Sequence, residues 1–136
     1  MNDKPLKVII AGSRDLIQMG LVVQAIEKSG FNIGEVVCGE AKGPDTLGKI
    51  WANRNHIPVA SFPAYWRVDG KYNPRAGFER NEKMGDYADA AICVWDGKSG
   101  GTKHMINYMK KLGKPCYVHQ HDFVDLFGDY WWGDSV

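Results

Sequence analysis

Residues 76–102, AGFERNEKMGDYADAAICVWDGKSGGT, hold the densest set of groups in the chain able to do chemistry. Ser99-Gly100-Gly101-Thr102 places two glycines and a hydroxyl at the start of an expected helix, directly after an apolar run, 90–95, that reads as a buried strand. A glycine turn in that position gathers backbone N–H groups at the positive end of a helix, which suits an anion. Arg80, upstream, adds a fixed positive charge whose planar fork matches a phosphate, and Asn81 beside it can donate and accept. The stretch points to a phosphorylated small ligand, a nucleotide or a relative of one. Asp96, just ahead of the turn, can contact a sugar hydroxyl. If the protein is an enzyme, Asp96 and Arg80 are the catalytic candidates for glycosidic chemistry.

Two further glycine loops carry similar groups. In Gly12-Ser13-Arg14-Asp15, Gly12 lets the backbone approach a ligand, and Ser13 and Arg14 can donate to a phosphate or a base. The loop is not GxGxxG, and no acidic residue ends the second strand in place to read a ribose, so a standard dinucleotide site is disfavoured. Gly39-Glu40-Ala41-Lys42-Gly43-Pro44-Asp45 precedes a helix, and its N–H groups, with Lys42, can bind an anion. Asp45 either caps that helix or holds a ribose hydroxyl. The loop lacks the GKS/T ending of a P-loop, which argues against ATP hydrolysis of that type. Trp66, with Tyr65 and Tyr72, can stack on a nucleobase or cover the edge of the sheet. His119 and His121 share a strand face, but no third partner completes a ligand set, so neither a metal nor a cofactor is expected.

The elements that must position these groups alternate. Short apolar runs at 6–11, 33–38, 58–62, 90–95 and 115–119 read as buried strands. Helical spacing fills most of the intervals: Leu16, Met19, Val22, Val23 and Ile26 recur on one face after a cap at Asp15, with Gly30 as the stop. Further helices are expected to about His56, over 76–87 and over 100–112, whereas 63–75 reads as a long loop. Alternation of this kind gives an α/β domain of three layers, with a central, mostly parallel five-stranded sheet. Ligands in such folds bind beyond the carboxyl ends of the strands, and that rule selects the loops 12–15, 39–45, 63–75 and 96–102.

A length of 136 residues fits one domain, 1–119, with an aromatic and acidic tail, 120–136, expected to pack on the core or on a partner subunit. A net charge of +1 argues against a protein held mainly by bulk attraction to nucleic acid, while leaving room for a local basic patch. Cys38, Cys93 and Cys116 fall in or beside core strands with no CxxC spacing, and read as small buried hydrophobes in a reducing compartment. The amino-terminal apolar run is too short for a secretory leader and nothing is long enough to span a membrane, so a cytoplasmic protein is expected.

The ordered motifs resemble the SLOG superfamily, the Rossmann-like group that contains the LOG and DprA proteins, and within it the YspA-like (YAcAr) branch. The residues that carry the resemblance are Gly12-Ser13-Arg14, Gly39/Ala41/Gly43/Asp45, Trp66/Gly70-Lys71, Ala76-Gly77/Arg80-Asn81, and Ser99–Thr102 with His104-Met105. They cover about residues 7–119. The resemblance implies a Rossmann-like domain that binds a nucleotide or a nucleotide-derived ligand, as sensor or sequestering protein, with a homodimer as the expected assembly. LOG enzymes release a base from a nucleoside monophosphate, with an arginine in an R-K-x-x-M segment and a glutamate just after P-G-G-x-G-T. Arg80 and Met84 match the first segment and Asn81 replaces its lysine. Lys103, His104 and Met105 stand where the glutamate is expected. Binding therefore survives the comparison better than catalysis. The alternatives are an enzyme cleaving an N-glycosidic bond, with Asp96, Asp45 or Glu40 as carboxylate, and a DprA-like module for single-stranded nucleic acid.

Overall fold

The structure is a computed structural model and describes residues 4–41, 43–121 and 132–135. The chain runs β1 (Leu6–Gly12), α1 (Met19–Ser29), β2 (Ile33–Gly39), α2 (Pro44–Arg54), β3 (Val59–Phe62), β4 (Arg67–Val68), β5 (Lys71–Tyr72), α3 (Ala76–Tyr87), β6 (Ala90–Trp95), α4 (Gly100–Leu112), β7 (Cys116–His121) and β8 (Trp132–Ser135). The main sheet has the order β3-β2-β1-β6-β7-β8. Its first five strands are parallel, as the alternating pattern requires, and β8 adds antiparallel to the outer edge of β7. The expectations placed on Lys42, Asp122, Phe123, Phe127, Tyr130 and Trp131, and on the side chains of His121 and Trp132, lie outside what is described.

Each central strand buries both faces, which is why it reads as a continuous apolar run rather than an alternating one. Val8 and Ile10 of β1, with Val36, Ile92 and Val94, point to one face and pack against Leu21, Val22, Ala25 and Ile26 of α1 and Ala52 of α2. Ile9 and Ala11, with Val37, Ala91 and Cys93, point to the other and meet Met84 of α3 and Met105, Ile106 and Met109 of α4. Full burial of an isoleucine such as Ile9, Ile10 or Ile92 stabilises by roughly 1.5–3 kcal/mol, so these two layers hold the sheet ends in place. Cys38 and Cys93 are buried and, with Cys116, are free thiols. No helix among the described residues is long and apolar enough to cross a membrane.

Two local expectations are corrected. Asp15 does not cap α1, which starts at Met19 with Gln18 in the cap position and no capping side chain. Residues 63–75 are not a structureless loop: β4 and β5 pair antiparallel across Asp69 and Gly70, both at positive φ (53° and 77°). Two left-handed residues in a two-residue turn follow the right-handed twist of a hairpin, and Asp-Gly is a preferred sequence for it.

Candidate functional site

The order of the strands sets the site. The chain leaves β1 for β2 and β3 on one side, then returns to β6 on the other side of β1. A crevice opens where the connections diverge, beyond the carboxyl ends of β1 and β6. Gly12 pairs with Val94 there, the N–H of Ser13 donates to the Val94 carbonyl at 2.9 Å, and the N–H of Asp96 donates to Ser13 Oγ at 3.0 Å. A cavity of about 420 Å³ sits over this seam. That volume lies within the usual range for small-ligand sites, roughly 300–1,000 Å³.

Ser13, Arg14, Asp45, Arg80, Asn81, Asp96, Ser99 and Thr102 supply the polar wall, and Gly12 and Gly101 let it come close. Trp66, Pro74, Phe78 and Met105 form an apolar side. The four loops picked from the sequence thus converge, with the first turns of α3 and α4. Gly39, Glu40, Gly43 and Gly100 are not in the wall. Gly39 and Gly43 act from behind it. The Gly43 backbone, at φ 84°, presses against the carbonyls of Ser13 and Arg14, and a Cβ there would lie 2.9 Å from each. Glu40 is exposed outside the cavity.

Sequence reasoning did not single out Phe78, Pro74 or Asp15 as wall residues. A signal for Phe78 was its place in the first turn of the helix that carries Arg80. Tyr65 and Tyr72 stand outside the wall; Tyr72 stacks on Trp66, with ring centres 6.2 Å apart.

The turn at α4 keeps its anion-binding capacity. Ser99 caps the helix without a side-chain hydrogen bond, so the first-turn N–H groups of Gly100, Gly101 and Thr102 are not taken by a capping side chain. The Thr102 hydroxyl lies 3.3 Å from Ser99 Oγ. Asn81 ties this turn to Arg80: its Nδ2 donates to the Gly101 carbonyl at 3.1 Å, and its Oδ1 accepts from Arg80 Nε at 3.1 Å. Its Nδ2 also lies 3.3 Å from His104 Nδ1, and His104 packs on Phe78 with centroids 4.5 Å apart. Asn81 is buried, so these bonds fix the guanidinium and the helix start relative to each other.

The two aspartates of the wall are tuned in opposite directions. Asp96 is partly desolvated, which raises its pKa, but N–H groups of Ser99 and Lys98 (both 2.8 Å to Oδ1) and Ser13 outweigh that and hold it below the usual carboxylate range. Its share of stability is present above its ordinary pKa and is lost as pH falls through the depressed folded value. Asp45 is the reverse. Burial pushes it up to about 7, against the lowering influence of Arg80 and of N–H groups from Gly12, Gly39 and Ala41. Its share is present below an unfolded value near 4 and is lost as pH rises through about 7. Asp45 is therefore no helix cap: it sits inside the first turn of α2, and Gly43 takes the cap position without a side-chain hydrogen bond.

Among the described residues no group of three His, Cys, Asp or Glu side chains is placed to hold a metal ion.

Residues 6–68 match the profile of the YspA, cpYpsA-related SLOG family. The match takes in β1, β2, α2 and the two loops behind Arg14 and Asp45, and ends before α3. An uncharacterized SPbeta prophage-derived protein of Bacillus subtilis (strain 168), YoqJ, is 40% identical over 56 residues. That stretch is 40% of this chain and 33% of YoqJ, so the chain matches about a third of the relative's length.

Proposed function

Because residues 6–68 belong to the YspA, cpYpsA-related SLOG family, we propose that the cavity holds a nucleotide or a nucleotide-derived phosphorylated ligand, and that the protein acts as a sensor or a sequestering protein for it. The observation that carries this reading is the meeting of an uncapped helix start, Gly100–Thr102, with Arg80 in one cavity that also has an apolar side. The phosphate lies against the α4 N–H groups, and Arg80 and Arg14 neutralise it. The base lies toward Trp66, Phe78 and Met105, where an aromatic face can stack on it.

Melting curves with AMP, ADP-ribose and adenosine test this. A phosphorylated ligand that binds only the native state adds about 2.7 kcal/mol at a hundredfold excess over its Kd. The expected result is a rise in Tm with a phosphorylated compound and none with adenosine. Equal shifts with adenosine, or none with any nucleotide of a broad panel, would overturn the reading.

One observation favours a second reading, hydrolysis of an N-glycosidic bond. Asp96 is held below the usual carboxylate range while burial pushes Asp45 up to about 7, and two carboxyl groups pushed apart in this way suit charge stabilisation and proton donation respectively. Chromatographic detection of free adenine from AMP, lost in Asp96→Asn, supports it; an intact nucleotide after prolonged incubation rejects it.

A further inference from the structure

Asn81 is buried, and the direction of its amide is fixed from two sides. The Gly101 carbonyl can only accept, so it takes one Nδ2 hydrogen at 3.1 Å; Arg80 Nε–H can only donate, so it meets Oδ1 at 3.1 Å. The second Nδ2 hydrogen is left for His104 Nδ1, 3.3 Å away. Nδ1 must therefore accept, and the ring proton of a neutral His104 belongs on Nε2, which faces Glu82 Oε2 at 3.5 Å. Phe78 of α3, with centroids 4.5 Å apart, and Tyr108 of α4, at 6.2 Å, flank the ring. The Tyr108 hydroxyl donates to Asp86 at 2.7 Å, and Glu79, Lys83 and Asp86 border the same surface as Glu82 and Tyr108. Lys103 precedes His104 on α4. His104 itself is not in the cavity wall; its link to Arg80 is Asn81.

We propose that His104 is a positioning residue: its neutral Nε2–H form locks the Asn81 amide, and with it the Arg80 guanidinium, against the anion-binding turn of α4, and a second proton on the ring loosens that lock. This rests on the reading that the anion binds at Arg80 and Gly100–Thr102. A proton on Nδ1 would point an N–H at an N–H of Asn81. Turning the amide over relieves that contact, but it sets the NH₂ group against Arg80 Nε–H and the oxygen against the Gly101 carbonyl. Swinging the ring away instead leaves one N–H of buried Asn81 unmet, and the amide is no longer held from that side. Glu82 favours the second proton by its charge, so the two polar neighbours of the ring ask for opposite states. Acid is therefore expected to weaken the grip on the anion, although a charged ring taken alone would attract it.

The probe is sulfate, which keeps its charge over the span in which an imidazole titrates, about pH 5–8. Amide shifts of Gly100–Thr102 report its Kd. At the upper end of that span His104→Phe, which keeps a ring against Phe78 but offers no acceptor, is expected to raise the Kd roughly 3- to 10-fold, the worth of one hydrogen bond. His104→Asn, whose Oδ1 can stand where Nδ1 stood, is expected to bring binding back close to that of the wild type. Toward the acid end, the ratio of the wild-type Kd to that of His104→Asn is expected to rise by a similar factor. Dividing by a variant with no imidazole at 104 cancels the other titrating groups, Asp45 among them. A ratio that stays level or falls on acidification would overturn the proposal, as would full affinity in His104→Phe. Should the variants fail to fold, ¹⁵N spectra of the wild type without sulfate decide. The expected pattern at about pH 8 is a protonated Nε2 and a bare Nδ1, with the Arg80 Nε–H signal shifting as His104 titrates. A proton on Nδ1 of the neutral ring, or an Arg80 signal that ignores the titration, overturns the proposal. Sulfate that leaves the Gly100–Thr102 amides of the wild type unmoved at every pH would overturn the anion site on which the proposal rests; the ¹⁵N pattern, read without sulfate, tells that failure from a failure of His104.

Discussion

Gly12→Ala is expected to lower the melting temperature by roughly 10 °C, the largest stability effect of any single-methyl addition in the site. A Cβ at residue 12 would lie 2.2 Å from the Val94 carbonyl oxygen and 2.6 Å from Pro44 Cγ. The oxygen belongs to the central strand β6 and accepts the Ser13 N–H, so it cannot swing aside as the end of a side chain can. Relief requires β1 and β6 to separate at Gly12 and Val94, the same place where the cavity floor is stitched. Overpacking costs about 1–3 kcal/mol and occasionally more, and a clash with backbone belongs at or above the upper end. Gly101→Ala is the control, since nothing stands within 4 Å of a Cβ there. Thermal unfolding of the two variants, followed by circular dichroism, checks the contrast. Two similar melting temperatures would mean that β1 and β6 do not close as described.

Arg80→Ala is expected to raise the Kd for a phosphorylated ligand on the order of 10- to 100-fold, which corresponds to the roughly 1.5–3 kcal/mol of a hydrogen bond to a charged group. The fold should tolerate the change, because Arg80 is only half-buried and its side-chain hydrogen bond goes to the neighbouring Asn81. Gly39→Ala offers an independent route to the same loss. Its Cβ would stand 2.5 Å from Arg80 Nη1 and 2.8 Å from Cζ, so the guanidinium must move while the helix that bears it stays. Calorimetry with AMP reads both variants. Weak binding in each with a near-native Tm is the expected outcome; full affinity in Arg80→Ala would remove the guanidinium from the phosphate site.

The sequence revealed the layout because the strands are apolar on both faces and the chemically able residues fall in the loops at their carboxyl ends. Residues 12–15 and 96–102 meet for that reason, and the register of Gly12 with Val94 makes it concrete. Less accessible was what each polar group does once there. Asn81 looks like one more polar residue on a charged helix, but two of its partners, the Gly101 carbonyl and His104, lie more than a dozen residues away. Asp45 reads locally as a cap. Its burial, and the lowering influence on its pKa of N–H groups from β1, β2 and the loop after β2, exist only once the sheet is folded. Phe78 and Met105 have the look of ordinary core positions at helical spacing, and which side faces a cavity is decided by how α3 and α4 lie across the sheet. The hairpin was legible in principle, since Asp69-Gly70 is a preferred turn, but its two-residue strands leave no alternation to read.

The most direct test of the account is an amide NMR map of the protein as AMP or ADP-ribose is added. The backbone N–H signals of Gly100, Gly101 and Thr102 and the Arg80 Nε–H signal are expected to move most, and in Arg80→Ala the three backbone shifts are expected to need on the order of 10- to 100-fold more nucleotide. A nucleotide that binds with those signals unmoved, or that moves the three backbone signals at the same concentration without Arg80, would contradict this site.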